Sequence, residues 1–405
     1  MAAVRTRVGG RARLLPELAA LIAVAWGLYA LLTVVRGPAG SLLAFSTLVN
    51  RAADNLWYRF LWLIINTNDA QFYSSIFGGI ALVAGAFAAW RLERVESRWQ
   101  GFAITAGTGL WPQVLAASLL GLAISVALYG SILEDGAWIP TFVPFVSIPA
   151  GVVLIYGPGW RNVLTGAISG GVIGFPIAYA VIELVLNPIG FPAVIGNVTG
   201  MWLGGIIVFE LCHRVLPWMR TPQPPPETEP TGQPVEDDLP VAEPMDRRGW
   251  LARRTLADFT EAQFYGNEIA SAALLGGVIL TWLLDAAQPF YGTGLLPSVL
   301  AGQVMVSAIG IVLYHGQWRR HEWYPTFVPV VSVVPAVVLT YGGGAAPILA
   351  GTILGVLLGP PMAQFGIDRI PGHWHPYVAN TFAMAVSTAI AVAVLIPLPG
   401  FNLPS

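Results

Sequence analysis

Long apolar runs, separated by short polar stretches, set the pattern of this chain. The first extends from about Leu15 to Val35 and stops at Arg36-Gly37-Pro38. A secretory signal has a shorter apolar core, followed by a small-residue cleavage site. This run has the length of a bilayer span, so it reads as a retained first helix. Ten further apolar segments fall into two sets of five. The first set covers 72–92, 108–130, 140–156, 162–185 and 194–216. The second covers 265–285, 295–315, 325–341, 346–365 and 376–397. Segments that cross hydrocarbon must be helical, because lipid cannot satisfy free backbone groups. The third segment of each set carries three prolines, Pro140, Pro144 and Pro149, then Pro325, Pro329 and Pro335. Interior proline removes a hydrogen bond and breaks or kinks a helix, which predicts a broken third helix in each set.

The two sets are related by sequence. Ala70-Gln71-Phe72-Tyr73 recurs as Ala262-Gln263-Phe264-Tyr265, and the Trp138–Ser147 segment recurs as Trp323–Ser332. Thr108-Gly109-Leu110 matches Thr293-Gly294-Leu295, and Tyr156-Gly157 matches Tyr341-Gly342. Gly166, Gly170, Gly174 and Pro176 match Gly351, Gly355, Gly359 and Pro361, so the register holds without a gap from Thr108 to Pro176. Such agreement in glycine and proline positions marks an internal duplication. The expected fold is an all-α polytopic membrane protein of about 11 transmembrane helices, one N-terminal helix plus two inverted five-helix repeats.

The same reading divides the chain. Residues 1–66 hold the N-terminal transmembrane helix and an interfacial segment, Asn55 to Ile65, too short to span. Residues 67–220 form the first repeat. Residues 221–246, rich in proline and acid, read as a disordered cytoplasmic linker. Residues 247–405 hold an interfacial helix, in which Arg247, Arg248, Trp250, Leu251, Arg253 and Arg254 form an amphipathic set, and the second repeat. An N-terminus in the cytoplasm puts 17 arginines in cytoplasmic stretches and leaves Arg36, Arg51 and Arg59 outside. The positive-inside rule therefore predicts a multi-pass protein of the cytoplasmic, or inner, cell membrane with its C-terminus outside. An odd number of crossings per repeat would invert the second copy.

Composition supports the membrane reading and closes other routes. The chain is 55% hydrophobic and 10% charged, against about 25% charged in soluble domains. Its net charge of −2 and the lack of a basic stripe give no footing for nucleic acid. A lone cysteine, Cys212, excludes an intrachain disulfide. Lipid and a small solute or ion are the expected partners, a homo-oligomer is compatible with the pattern, and no cofactor is implied.

The broken third segments carry the candidate site. Where a membrane helix is interrupted, freed carbonyl and amide groups can bind a solute or ion. Thr141, Pro144 and Ser147 in the first copy and Thr326, Pro329 and Ser332 in the second are the candidate substrate-binding residues, with Gln113 and Gln303 nearby. The same threonines and serines can instead bond their own backbone, with the prolines shaping the packing alone. The glycines at four-residue spacing read as close-packing positions. Glu183, Glu210 and Asp285 fall near segment ends, where they can reach water, and no carboxylate or histidine stands at a midplane position for a proton relay. The five histidines all fall on the expected cytoplasmic side. His373-Trp374-His375 supplies two metal ligands where a site needs at least three, so no metal is expected. No His-Glu-x-x-His, Gly-x-Ser-x-Gly or Walker lysine is present, and an enzyme is not expected.

Ile139-Pro140-Thr141-Phe142-Val143-Pro144-Phe145 resembles the Leu-Pro-x-x-Thr-x-Pro-Phe signature of urea transporters, which also have inverted five-helix halves. The threonine is displaced, and Asn162-Val163-Leu164-Thr165-Gly166 follows the motif where that family has its asparagine before it. The likeness covers a few residues and assigns no family. The leading expectation is a secondary transporter with its site between the halves. A passive channel for a small neutral solute such as urea is the alternative, and a membrane scaffold or an enzyme is the third class. Architecture alone reaches function by analogy.

Overall fold

The computed structural model describes residues 2–219, 245 and 248–401. Apart from Met245, the stretch read as a linker falls outside them, as does Ser405. The described residues are helical, with no strand among them. Three helices come first, α1 (Ala2–Val34), α2 (Phe45–Ala52) and α3 (Leu56–Asn66). The first copy continues with α4 (Ile76–Arg94), α5 (Trp111–Tyr129), α6 (Ile148–Tyr156), α7 (Trp160–Val181), the single turn α8 (Asn187–Ile189) and α9 (Val194–Arg214). In the second copy lie α10 (Trp250–Ala257), α11 (Glu268–Leu284), α12 (Leu296–Leu313), α13 (His315–His321), α14 (Val333–Tyr341), α15 (Ala345–Ile367) and α16 (Tyr377–Leu395).

Eight helices among the described residues are long and apolar enough to cross a membrane. They are α1, α4, α5, α7 with its continuation to Ile189, α9, α12, α15 and α16. The other three expected crossings are shorter. α11 has 17 residues, and its axis bends 82° from the preceding helical stretch Trp250–Gln263. The third segments, Val143–Tyr156 and Val328–Tyr341, are apolar but short and interrupted.

Proline and serine make these interruptions. Pro144 and Pro329 each sit in the first turn of a short helical piece, Val143–Val146 and Val328–Val331. The backbone then leaves helical geometry at Ser147 (φ −147°, ψ −112°) and Ser332 (φ −142°, ψ −80°). Each serine hydroxyl donates to the carbonyl four residues back, Val143 or Val328, at 2.6 Å. That bond satisfies an acceptor released by the break. The helix restarts at Ile148 and at Val333.

Glycine lets the fourth helix of each copy close on the broken one. A Cβ at Gly170 of α7 would lie 2.6 Å from Pro149, and one at Gly355 of α15 would lie 2.8 Å from Pro329. Both copies show one pattern of neighbours. α5 packs on α7 and α7 on α9, as α12 packs on α15 and α15 on α16. Across the molecule α4 lies along α11 and α9 along α16, while α1 flanks α12. Main-chain bonds tie the copies at matched positions: Thr105 N donates to Tyr265 O at 3.0 Å, and Phe290 N to Tyr73 O at 2.7 Å. Gln71 and Gln263, also matched, exchange reciprocal side-chain bonds of 2.6 and 2.8 Å.

Two features differ from the expectations. α10 does not present all its apolar and basic residues to an interface, because Trp250, Leu251, Arg254 and Thr255 are buried against neighbouring helices. Its Arg254 lies over Trp318 and Phe102. Asp285 does not reach water. It is 0% exposed and accepts from the amides of Gly40, Leu42, Leu43 and Ala287. The carboxylate thus anchors the chain between α1 and α2 to the end of α11, where backbone donors replace its water.

Candidate functional site

A cavity of about 560 Å³ lies between the copies. Its walls come from the turns that precede α4 and α11, from the broken third segments and from the first turns of α9 and α16. Matched positions recur around it: Phe72 with Phe264, Phe142 with Phe327, Val146 with Val331, and Asp69 with Glu261. α9 and α16 add a second matched motif, Asn197-x-x-x-Met201 and Asn380-x-x-x-Met384, whose four named residues all line the space. The turn geometry is shared as well. Phe72 and Phe264 adopt left-handed φ of 68° and 65°, which reverses the chain ahead of each following helix.

The carboxylates are held by indole donors. Trp138 Nε1 donates to Asp69 Oδ2 at 3.0 Å, and Trp323 Nε1 to Glu261 Oε1 at 3.3 Å. Ser74 also donates to Asp69, which is 1% exposed. Glu261 instead pairs with Arg254, which also holds Asp258 at 2.8 Å. Behind this group, Ser307 Oγ donates to Asp258 Oδ2 at 2.7 Å. His375 lies on the cavity wall against Phe264, their ring centroids 5.2 Å apart, its Nδ1 accepting from Tyr377 N at 3.1 Å. Burial pushes the His375 imidazole down to about 4, so it is neutral near pH 7.

Several residues of this wall carry a buried polar atom that meets no hydrogen-bond partner among the described residues. The atoms are Asn197 Oδ1, Asn380 Oδ1, Thr105 Oγ1, Tyr377 Oη and Arg254 Nε. Buried polar groups are nearly always paired in folded proteins. A mostly apolar cleft of this size, with a few convergent polar groups, is the usual form of a small-molecule site.

The eight candidates from the sequence stand behind this wall instead of on it. Thr141 accepts from Trp62 Nε1 at 2.8 Å and donates to Asn66 Oδ1 at 2.7 Å. Ser147 and Ser332 bond their own backbone. Gln303 accepts from Tyr73 Oη at 2.7 Å and donates to Val330 O at 2.8 Å. Thr326 Oγ1 and Gln113 Oε1 have no partner among the described residues. Pro144 and Pro329 pack under Gly121 and Gly355. The broken segments still reach the cavity, through Phe142, Val146, Phe327 and Val331.

Sequence reasoning missed Asp69, Glu261, Arg254, Asn197 and Asn380. Buried charge is present after all, at Asp69, Arg254 and Asp258. A signal existed: the repeated Ala-Gln-Phe-Tyr is preceded by an acid in both copies, and Asn-x-x-x-Met also recurs. Among the described residues no group of three or more His, Cys, Asp or Glu converges on a metal position. No protein-family profile matches the chain. No curated protein matches it in sequence.

Proposed function

We propose that this integral membrane protein is a secondary transporter of the cytoplasmic membrane, with its substrate site in the cavity between the copies. One observation carries the reading: matched residues of both copies face a single cavity. Inverted duplications build transporter sites in this way, and rocking of one half against the other then exposes the site to each side in turn. In this reading α11 and the two broken segments complete five crossings per copy, the second copy is inverted, the N-terminus is cytoplasmic and the C-terminus lies outside. The arginine distribution supports that orientation.

Single cysteines at Val198 and Thr381 in a Cys212→Ser background test the proposal. Both positions line the cavity. Alternating access predicts that an impermeant thiol reagent reaches them from one side of a sealed vesicle in each conformational state. Labelling from both faces of one locked state would mark a channel. Labelling from neither face, in any condition, would remove transport through this cavity.

A further inference from the structure

The chemistry of the cavity wall selects among ligand charges. Apart from tyrosines, its titratable residues are Asp69, Glu261, Arg254 and His375. Arg254 is already held by Glu261 and Asp258. Asp69 is held by neutral donors, Ser74, Trp138 and Tyr291. The wall therefore carries more negative than positive charge. Four of the five unpartnered polar atoms on residues of the wall are buried oxygens: those of Asn197, Asn380 and Thr105, and Tyr377 Oη, which packs against Gly205 of α9. The asparagines are 4% and 6% exposed, so water outside the cavity does not serve them. The fifth atom, Arg254 Nε, belongs to the neutralised guanidinium. Around these groups stand the aromatic rings of Phe72, Phe142, Phe264, Phe327, Tyr291 and Trp323. Ring faces attract cations, and more strongly where water is excluded.

Resting on the transporter reading for the use of the cavity, we infer that its substrate is an amphipathic organic monocation, an ammonium with N–H donors on an apolar or aromatic body. The ammonium would compensate the Asp69 carboxylate among the ring faces, and a turn of the Asn197 and Asn380 side chains would bring their oxygens to it as acceptors. The body would fill the space between the phenylalanines and Met201 and Met384. An anion would meet Asp69 and Glu261 with no free cation on the wall among the described residues to receive it, and a neutral isostere would forgo the charge term.

Three probes share an indole body and differ in the charge of the tail: tryptamine, tryptophol and indolepropionate. Calorimetric titration into the purified full-length protein in nanodiscs is expected to rank them in that order. Tryptamine should bind at least about tenfold tighter than tryptophol, a step of about 1.4 kcal/mol. Asp69→Asn should erase most of that preference while keeping tryptophol affinity. Asn197→Leu should weaken both. The ranking on the unmodified protein needs no variant to fold. Equal affinity for all three, tightest binding of indolepropionate, or no binding of tryptamine at millimolar concentration would each overturn the inference. Uptake of labelled tryptamine into proteoliposomes, above that of protein-free vesicles, separates the two claims. Binding without uptake would refute transport and leave the ligand class standing.

Discussion

The helix ahead of each Ala-Gln-Phe-Tyr turn meets its broken segment in the same frame, yet the two copies hold that junction by different chemistry. In the first copy Trp62, Thr141 and Asn66 form a neutral chain of hydrogen bonds. In the second the positions of Trp62 and Asn66 are Arg254 and Asp258, and the junction is an ionic group completed by Glu261 and Ser307. Thr326, the match of Thr141, is left without a partner among the described residues. The frame therefore does not dictate its polar filling. A neutral network costs little to bury if every member is paired. A buried ion pair carries a desolvation cost that can exceed its attraction, but removing one partner exposes that cost in full. The ionic version also brings Arg254 to the cavity wall, where Trp62 does not reach.

The largest expected effect is in the second copy. Asp258→Ala leaves Arg254 with one carboxylate and takes the acceptor from Ser307. It should cost about 3–5 kcal/mol, the range for breaking a buried pair, in denaturant unfolding in micelles. A loss below about 1 kcal/mol would mean that Glu261 alone compensates the arginine, as surface pairs of that worth do. Next comes Ser307→Ala, which removes a hydrogen bond to a charged group and should cost about 1.5–3 kcal/mol.

In the first copy Thr141→Val strands Trp62 Nε1 and Asn66 Oδ1, and should cost about 1–3 kcal/mol. Thr326→Val removes a buried hydroxyl without a partner and should leave stability unchanged or raise it by about 1–2 kcal/mol. Equal losses at the two threonines would break the comparison, since they would show that position alone sets the cost.

The last effect concerns His375. The second copy has His375 before Pro376, where the first has Phe191 before Pro192. Burial holds His375 near 4 in the folded protein, against about 6.5 in an unfolded chain. Between those values the unfolded chain binds more protons, so stability should fall as pH drops from about 6.5 toward 4 and stay flat above. His375→Phe should flatten the melting temperature over that window, and a slope that survives the change would assign it to another group.

Much of the scaffold was legible because its signals are local. Proline at 144 and 329 announces a break wherever the segment sits, and glycine at 170 and 355 announces a close approach. The candidate site was legible only to its backbone. Thr141, Ser147, Thr326 and Ser332 are the polar residues of the broken segments, but the two serines are claimed by the nearest free carbonyl, Thr141 by Trp62 and Asn66, and Thr326 is buried behind the wall. The residues that do face the cavity are their apolar neighbours. Asp69 and Glu261 lie between apolar segments, where hydropathy cannot tell a buried turn from a loop in water. The same ambiguity concealed Asp285.

From the chain alone one can read that the protein belongs in a membrane, that it is duplicated, and where its helices break. Those properties depend on composition, spacing and steric rules within a few residues. Which side chains meet at the center is decided by the fold, because Asp69 and Glu261, or Asn197 and Asn380, are neighbours of one space while standing far apart along the chain. Hydropathy scores lipid-facing and protein-facing surfaces alike, since both environments are apolar. Only the packing of α4 on α11 and of α9 on α16 separates the two and leaves a cavity between them.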